Sequence, residues 1–544
     1  MKLKQSCIAA ILMLFSGMAC AEGAVVTTLD GKLSGYSEGG LHIFKGIPYA
    51  RPPVGDRRWT APEPVDPWHG VQEVRDFSAS CMQPPMPPQS IYADEPEHMS
   101  EDCLTLNIWA PEEASGAPVI VWIHGGALQR GSSSAPMYDG AAFARRGVVF
   151  VSINYRLGLF GWLAHPELSA QSPHGASGNY GLLDQIAALT WVKKNITAFG
   201  GDAGNVTVMG ESAGALSITY LLTSPLARGM FDKAIIESPN IRAVPDLKSA
   251  VYGNPSAEEY GVSIMEKVGA SSLSDLRAMD AKVLALKGLK ARFWAQGTID
   301  HWALTEQVVD ALDAGKQALV PTLAGFNSGE IRSQAVFLPA MPESAEAYEQ
   351  AITERYGDLA PAFLKLYPSG DMRESMLATL RDAIYGWATE RLVRAQAQGG
   401  VPAYQYIFDH CDPATAARAL CAFHASELPY VFGRVGKDAR LPANWPKPEG
   451  AAARAMSDAM MDYWVSFARS SVPVSEGNPA WQPYGAGESY MRFADRPAAS
   501  QDPMPGMFEM QDELVDRRRA HGQQWFINVG LMANPIPDPF KSMP

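Results

Sequence analysis

Five short runs of almost wholly apolar residues constrain this chain more than anything else in it: Leu104–Trp109, Val119–Ile123, Val148–Ile153, Val206–Met209 and Ala234–Ile236. Each is too short for a buried helix and lacks the strict alternation of a strand with one wet face. They therefore read as strands covered on both faces. Amphipathic stretches lie between them. From Tyr180 to Phe199, Leu183, Ile186, Leu189, Val192 and Ile196 recur at helical spacing behind Asn179, a residue type that caps helices. Doubly covered strands that alternate with helices predict an α/β fold, a large, mostly parallel, twisted sheet flanked by helices.

The remaining segments fit around that sheet. Val25 to Ile47 alternates apolar and polar residues about Asp30-Gly31 and Glu38-Gly-Gly40, which predicts an N-terminal antiparallel hairpin region. Stretches near 252–320 and 343–398 are helical in pattern, and strand character returns at Val320–Phe326, Tyr404–Phe408 and Tyr490–Phe493. The helical blocks thus read as cap insertions that interrupt one sheet. A further insertion is expected near 80–99. Residues 22–544 are expected to form a single domain.

The run Val206–Met209 leads into Gly210-Glu-Ser-Ala-Gly214. A serine hydroxyl is a poor nucleophile at neutral pH, so an enzyme must expose it, set a base beside it and supply donors for the oxyanion that forms. A sharp strand-to-helix turn exposes Ser212, and glycine at 210 and 214 avoids crowding there. Reactive groups on such a sheet sit on loops at the carboxyl ends of strands. After Val119–Ile123 comes His124-Gly-Gly-Ala-Leu128, whose small residues let the amides of Gly126 and Ala127 approach a substrate oxygen, with Ala213 as a third donor. An acid and then a histidine are expected downstream of the serine. Glu330 and His424 are the candidates, with Asp409 and Asp412 competing for the acid and His410 for the base.

Acidic residues outnumber basic ones, 58 to 45, for a net charge of −13, which argues against a nucleic-acid surface or an anionic membrane face. No later apolar run reaches the ~18 residues a membrane span needs. The first 21 residues read as an export signal: Lys2 and Lys4, an apolar stretch from Ile8 to Phe15, then Ala19-Cys20-Ala21 as a cleavage site. The competing reading, a lipid anchor on Cys20, lacks the expected aliphatic residue before it. Export to the periplasm or medium leaves Cys81, Cys103, Cys411 and Cys421 as an even set in an oxidising compartment. Three pairings exist. Cys81–Cys103 and Cys411–Cys421 are the local ones, closing loops of roughly 20 and 10 residues. No spacing suits a metal site.

Two local signatures, Phe199 to Gly214 and Glu101-Asp-Cys-Leu-Thr-Leu-Asn-Ile-Trp-Ala-Pro111, resemble those of the type B carboxylesterases, the cholinesterase-like family of the α/β-hydrolase fold. His424 to Phe432, Gly178 to Gln185 and Phe44 to Tyr49 are similar to further segments of that family, so the likeness covers nearly the whole chain. The resemblance implies a serine carboxylesterase with Ser212 as nucleophile, His424 as general base and then acid, and Glu330 as the group that orients the imidazole. It implies Gly126, Ala127 and Ala213 as the oxyanion hole, Glu211 and Gly125 as supporting residues, and a disulfide from Cys103 to Cys81. No cofactor is expected. The partner is a small-molecule ester, and a monomer is the favoured state.

Three departures stand out. Ala127 replaces the usual third glycine of the oxyanion loop, Gly329-Glu330-Ile331 replaces the usual Asp-Glu-Gly, and Ser238-Pro239 stands where Ser-Gly is common. Substrate choice is expected to rest on the stretches Ser80–Met99 and Arg292–Thr305. Phe293, Trp294, Trp302, Phe337 and Trp387 are candidates for an aromatic gorge, and Arg332 for contact with a carboxylated substrate.

Overall fold

The computed structural model describes residues 23–536, so the expected export signal and Cys20 lie outside the described residues. Its centre is an eleven-stranded sheet. In chain order the strands are β1 (Tyr36–Glu38), β2 (Leu41–Pro48), β3 (Thr105–Pro111), β4 (Ala117–Ile123), β5 (Val149–Ile153), β6 (Gly201–Glu211), β7 (Lys233–Glu237), β8 (Thr322–Asn327), β9 (Ala403–Phe408), β10 (Ser489–Phe493) and β11 (Pro497–Gln501). Across the sheet they run β11-β10-β9-β8-β7-β6-β4-β5-β3-β2-β1. From β5 to β10 every neighbour is parallel, and both edges are antiparallel. The apolar runs read as strands all belong to this one sheet, and the helical blocks interrupt it as expected.

The runs are continuous because each alternate residue meets a different apolar layer. Val119, Val121 and Ile123 of β4 face a layer holding Leu182, Leu189, Leu216 and Leu221, from the helices Tyr180–Asn195 and Ala213–Thr223. Ile120 and Trp122 face the opposite layer with Phe143, Phe432, Trp464 and Phe467. Neither face touches water, so neither tolerates a polar residue at regular intervals. Exclusion of water from both faces also makes the strand ends the first accessible positions.

Three details differ from expectation. The first hairpin, Val25–Thr27 with Lys32–Ser34, joins Val71–Glu73 in a separate small sheet, and only β1–β2 edges the main one. β11 carries no apolar run, because an edge strand needs only one covered face, and the sequence reading missed it. Asn179 does precede the helix Tyr180–Asn195, but its side chain does not cap it. Its amide instead brackets Thr298, donating to the carbonyl at 2.7 Å and accepting from the amide at 3.0 Å, which ties the first helical block to the core.

Candidate active site

β6 ends at Glu211 and a helix begins at Ala213, which leaves Ser212 alone to make the turn. It does so at φ 55° and ψ −115°, a conformation that costs an L-residue of order 1–3 kcal/mol and that the surroundings hold in place. The Ser212 amide donates to the Glu237 carbonyl at 2.9 Å. The two glycines have steric causes. A Cβ on Gly214 would stand 2.0 Å from the Ile123 carbonyl oxygen, and one on Gly210 would stand 2.8 Å from the Gly214 carbonyl carbon. Ser212 is partly exposed between two buried neighbours.

His424 reaches this hydroxyl from far along the chain, with Nε2 2.8 Å from Ser212 Oγ and Nδ1 2.5 Å from Glu330 Oε2. Glu330 is fully buried and opens the short turn Glu330–Ser333 just after β8. Its other oxygen, Oε1, accepts from Ser238 Oγ at 2.6 Å and from the Asn327 amide at 2.9 Å. The unusual Gly329 fits because a Cβ there would lie 2.1 Å from the Cys421 carbonyl oxygen. Cys421 is disulfide-bonded to Cys411, and Cys81 to Cys103, which are the local pairings. The competitors are engaged elsewhere: His410 Nδ1 lies 2.7 Å from the Ala494 carbonyl, Asp409 pairs with Arg492, and Asp412 caps the helix Pro413–Ala416.

Glu211 Oε1 lies 3.2 Å from His424 Nε2 but makes no hydrogen bond, since that nitrogen faces Ser212; it acts on the ring by charge. Burial pushes the Glu211 carboxyl up to about 7, with the Glu330 charge adding to the push and His424 opposing it. Burial pulls the His424 imidazole down, yet the charges of Glu211 and Glu330 outweigh it and raise the ring to about 8. Gly125 fits against this carboxylate, because a Cβ there would meet Glu211 Oε2 at 2.7 Å.

The loop His124–Leu128 is held by its carbonyls. The amides of Gln129 and Arg130 both donate to the Gly126 carbonyl at 3.0 Å, and Tyr155 Oη donates to the His124 carbonyl at 2.8 Å. Among the described residues the amides of Gly126, Ala127 and Ala213 donate to no protein acceptor. Ala127 takes the left-handed φ of 57° that favours glycine, and it lines the cavity. That cavity, of about 550 Å³, opens over Ser212, His424 and Glu211.

A family model described as "Carboxylesterase family" matches residues 22–510. The chain belongs to the carboxylesterase family. It is 36% identical over 476 residues to a fumonisin B1 esterase of Sphingopyxis macrogoltabida, covering 86% of each chain. It is 37% identical over 459 residues to the para-nitrobenzyl esterase of Bacillus subtilis, covering 83% of this chain and 91% of that one. Among solved structures, a PNB esterase superposes with a TM-score of 0.76 at 32% identity, over 90% of this chain and 99% of the other. A carboxylesterase of Geobacillus stearothermophilus gives 0.74 at 32% identity, over 92% and 100%. The fold is the α/β-hydrolase fold of these esterases, and membership makes the chain a carboxylic ester hydrolase.

Some residues take other places in this carboxylesterase than the sequence suggested. None of Phe293, Trp294, Trp302, Phe337 and Trp387 lines the cavity over Ser212, nor does any residue of 292–305. Trp302 stacks on His174, and Trp387 is buried with Nε1 donating to Asp512. Arg332 forms a two-pronged pair with Glu374. The cavity wall comes chiefly from two stretches, 80–99 and 125–138. Sequence reasoning noted Ser238 only as part of a departure and gave it no role, and it missed Asn327, Glu237 and Glu427. Ser238 and Asn327 lie at the carboxyl ends of β7 and β8, where the strand-end rule points. Burial raises the Glu237 carboxyl to about 8 and pushes that of Glu427 well above the usual carboxylate range. Ser238 owes its place to its hydroxyl; nothing in the structure explains Pro239.

Proposed function

We propose that this carboxylesterase is an exported serine enzyme that hydrolyses small-molecule esters through an acyl-enzyme on Ser212. The observation that carries the reading is His424 lying between Ser212 and Glu330 at 2.8 and 2.5 Å. In this reading Nε2 takes the Ser212 proton as Oγ attacks the ester carbonyl carbon. The oxyanion accepts from the free amides of Gly126, Ala127 and Ala213; losing one such donor costs about 3 kcal/mol of transition-state stabilisation. The imidazolium, held by the Glu330 and Glu211 charges, then passes its proton to the departing alkoxide, and the acyl group stays on Oγ. Water repeats the cycle: Nε2 takes its proton, the hydroxyl adds to the acyl carbon, and Ser212 leaves with its proton restored. The product is the carboxylic acid.

The strands that flank the stretches near 252–320 and 343–398 all belong to one sheet, which supports reading residues 22–544 as one domain carrying insertions. The two disulfides support export, and among the described residues no helix is long and apolar enough to cross a membrane. Ser212→Ala tests the mechanism. The variant is expected to fold as the parent does and to lose p-nitrophenyl ester turnover and organophosphonate labelling together. Parent-like hydrolysis by folded Ser212→Ala protein would overturn it.

A further inference from the structure

The stretch between Cys81 and Cys103 walls the cavity, and one of its side chains also touches the catalytic array from behind. Tyr92 lines the cavity, and its hydroxyl lies 2.9 Å from the His424 carbonyl oxygen and 2.7 Å from Ser333 Oγ. A carbonyl can only accept, so the phenol hydrogen goes to His424 and the phenol oxygen accepts from Ser333. Ser333 closes the turn that Glu330 opens. One side chain therefore joins the loop of the base to the turn of the acid.

Nothing else given by the described residues donates to the His424 carbonyl, and this loop has left-handed backbone on both sides, at Ala422 (φ 48°) and Ala425 (φ 69°). Tyr92 is itself well fixed. Its ring meets Trp445 edge-on at 5.7 Å and Phe423 at 6.4 Å. Asn444 Nδ2 donates to the carbonyls of Pro88 and Ser90 at 2.7 and 3.0 Å, which pins the stretch just before it. Burial, reinforced by the nearby carboxylates, holds the phenol well above its ordinary pKa, so it stays a donor at any working pH.

We infer that Tyr92 is a positioning residue for ester hydrolysis: by holding the His424 backbone and the Glu330 turn together, it keeps the imidazole aligned between Ser212 and Glu330. It exchanges no proton with the substrate. Because the same ring walls the cavity, the seating of the 80–99 stretch is transmitted to the base.

The inference rests on the esterase reading, whose own failure has a separate sign, retention of turnover by Ser212→Ala. The test is Tyr92→Phe, which keeps the ring and removes the hydroxyl. On p-nitrophenyl acetate and butyrate, kcat is expected to fall about tenfold, the equivalent of one hydrogen bond. KM should stay within about twofold of the parent, since a lost backbone restraint weakens alignment and not binding. The acid limb of the pH profile should move to lower pH, because a loosened His424–Glu330 contact stabilises the imidazolium less. Ser333→Ala, which leaves Tyr92 in place, should lower kcat by a smaller factor, and the double variant should be no worse than Tyr92→Phe. An unchanged kcat in Tyr92→Phe, or a tenfold loss that lies wholly in KM, overturns the inference. Should Tyr92→Phe not fold, Ser333→Ala decides alone, and a kcat equal to the parent's overturns it.

Discussion

Replacing Glu330 by Gln changes one atom and nothing in size, yet the surroundings dictate how the amide must sit. Oε1 of Glu330 accepts from the Asn327 amide at 2.9 Å, and a backbone N–H cannot turn into an acceptor. The glutamine oxygen is therefore held at that position, and its NH2 group lands where Oε2 now faces His424 Nδ1 at 2.5 Å. Two donors cannot share that contact. The imidazole must release its Nδ1 hydrogen and carry it on Nε2, which then points an N–H at Ser212 Oγ and cannot take the serine proton. An acid-to-amide change of this kind in another serine-hydrolase triad lowers kcat about 10⁴-fold, equivalent to about 5.4 kcal/mol at 1.36 kcal/mol per tenfold. The same loss is expected here. Steady-state hydrolysis of p-nitrophenyl butyrate measures it, with organophosphonate labelling as a check on Ser212 reactivity and thermal unfolding as a check on the fold. Glu330→Asp, which keeps the charge but withdraws it by one methylene, should lie between. A folded Glu330→Gln enzyme within tenfold of the parent would refute the reasoning and point to another group, Glu211 first, as the one that orients the ring.

Glu211→Gln tests the charge acting on the imidazole. The base works when neutral, and a neighbouring carboxylate stabilises its protonated form, so removing that charge should move the acid limb of kcat/KM down from near pH 8 by roughly one unit; an unmoved or raised limb would separate Glu211 from the base. The cavity wall carries Asp94, Glu95 and Glu97 against Arg130. Esters with a free carboxylate should therefore show a higher KM than neutral esters of the same shape, with the gap closing as salt rises from about 0.01 to 0.5 M; equal values at low salt would remove the rim charges from substrate choice. Opening the 22-residue loop with Cys81→Ser and Cys103→Ser should lower stability by about 3 kcal/mol in denaturant unfolding, and an unmoved midpoint would show that packing alone holds that loop.

What residue type and spacing reveal of this molecule follows from the range over which each interaction acts. The strands could be read because a strand covered on both faces must be apolar at every position, whatever covers it. The serine turn could be read because Gly210 and Gly214 answer to crowding within a few residues and one adjacent strand. Asparagine before a helix signals a cap, yet Asn179 spends its amide on Thr298, a partner 119 residues away. Aromatic residues near the expected pocket looked like its lining, but an aromatic side chain does not declare which way it faces, and all five point elsewhere.

Within the site the division is the same. Residue type and spacing were enough for the sheet, the candidate nucleophile and a short list of acids and bases. Tertiary structure alone decided that His424 meets Ser212 across 212 residues and Glu330 across 94, and that Asp409 is tied up by Arg492. It also decided that Ser238, Asn327 and Tyr92 hold the array, and that of the two stretches expected to shape the pocket only 80–99 lines it. Local rules act through sterics and hydrogen bonds between near neighbours, and these leave marks in residue type and spacing. Alignment to tenths of an ångström between distant loops depends on the order in which strands are laid side by side, and no single residue carries that order.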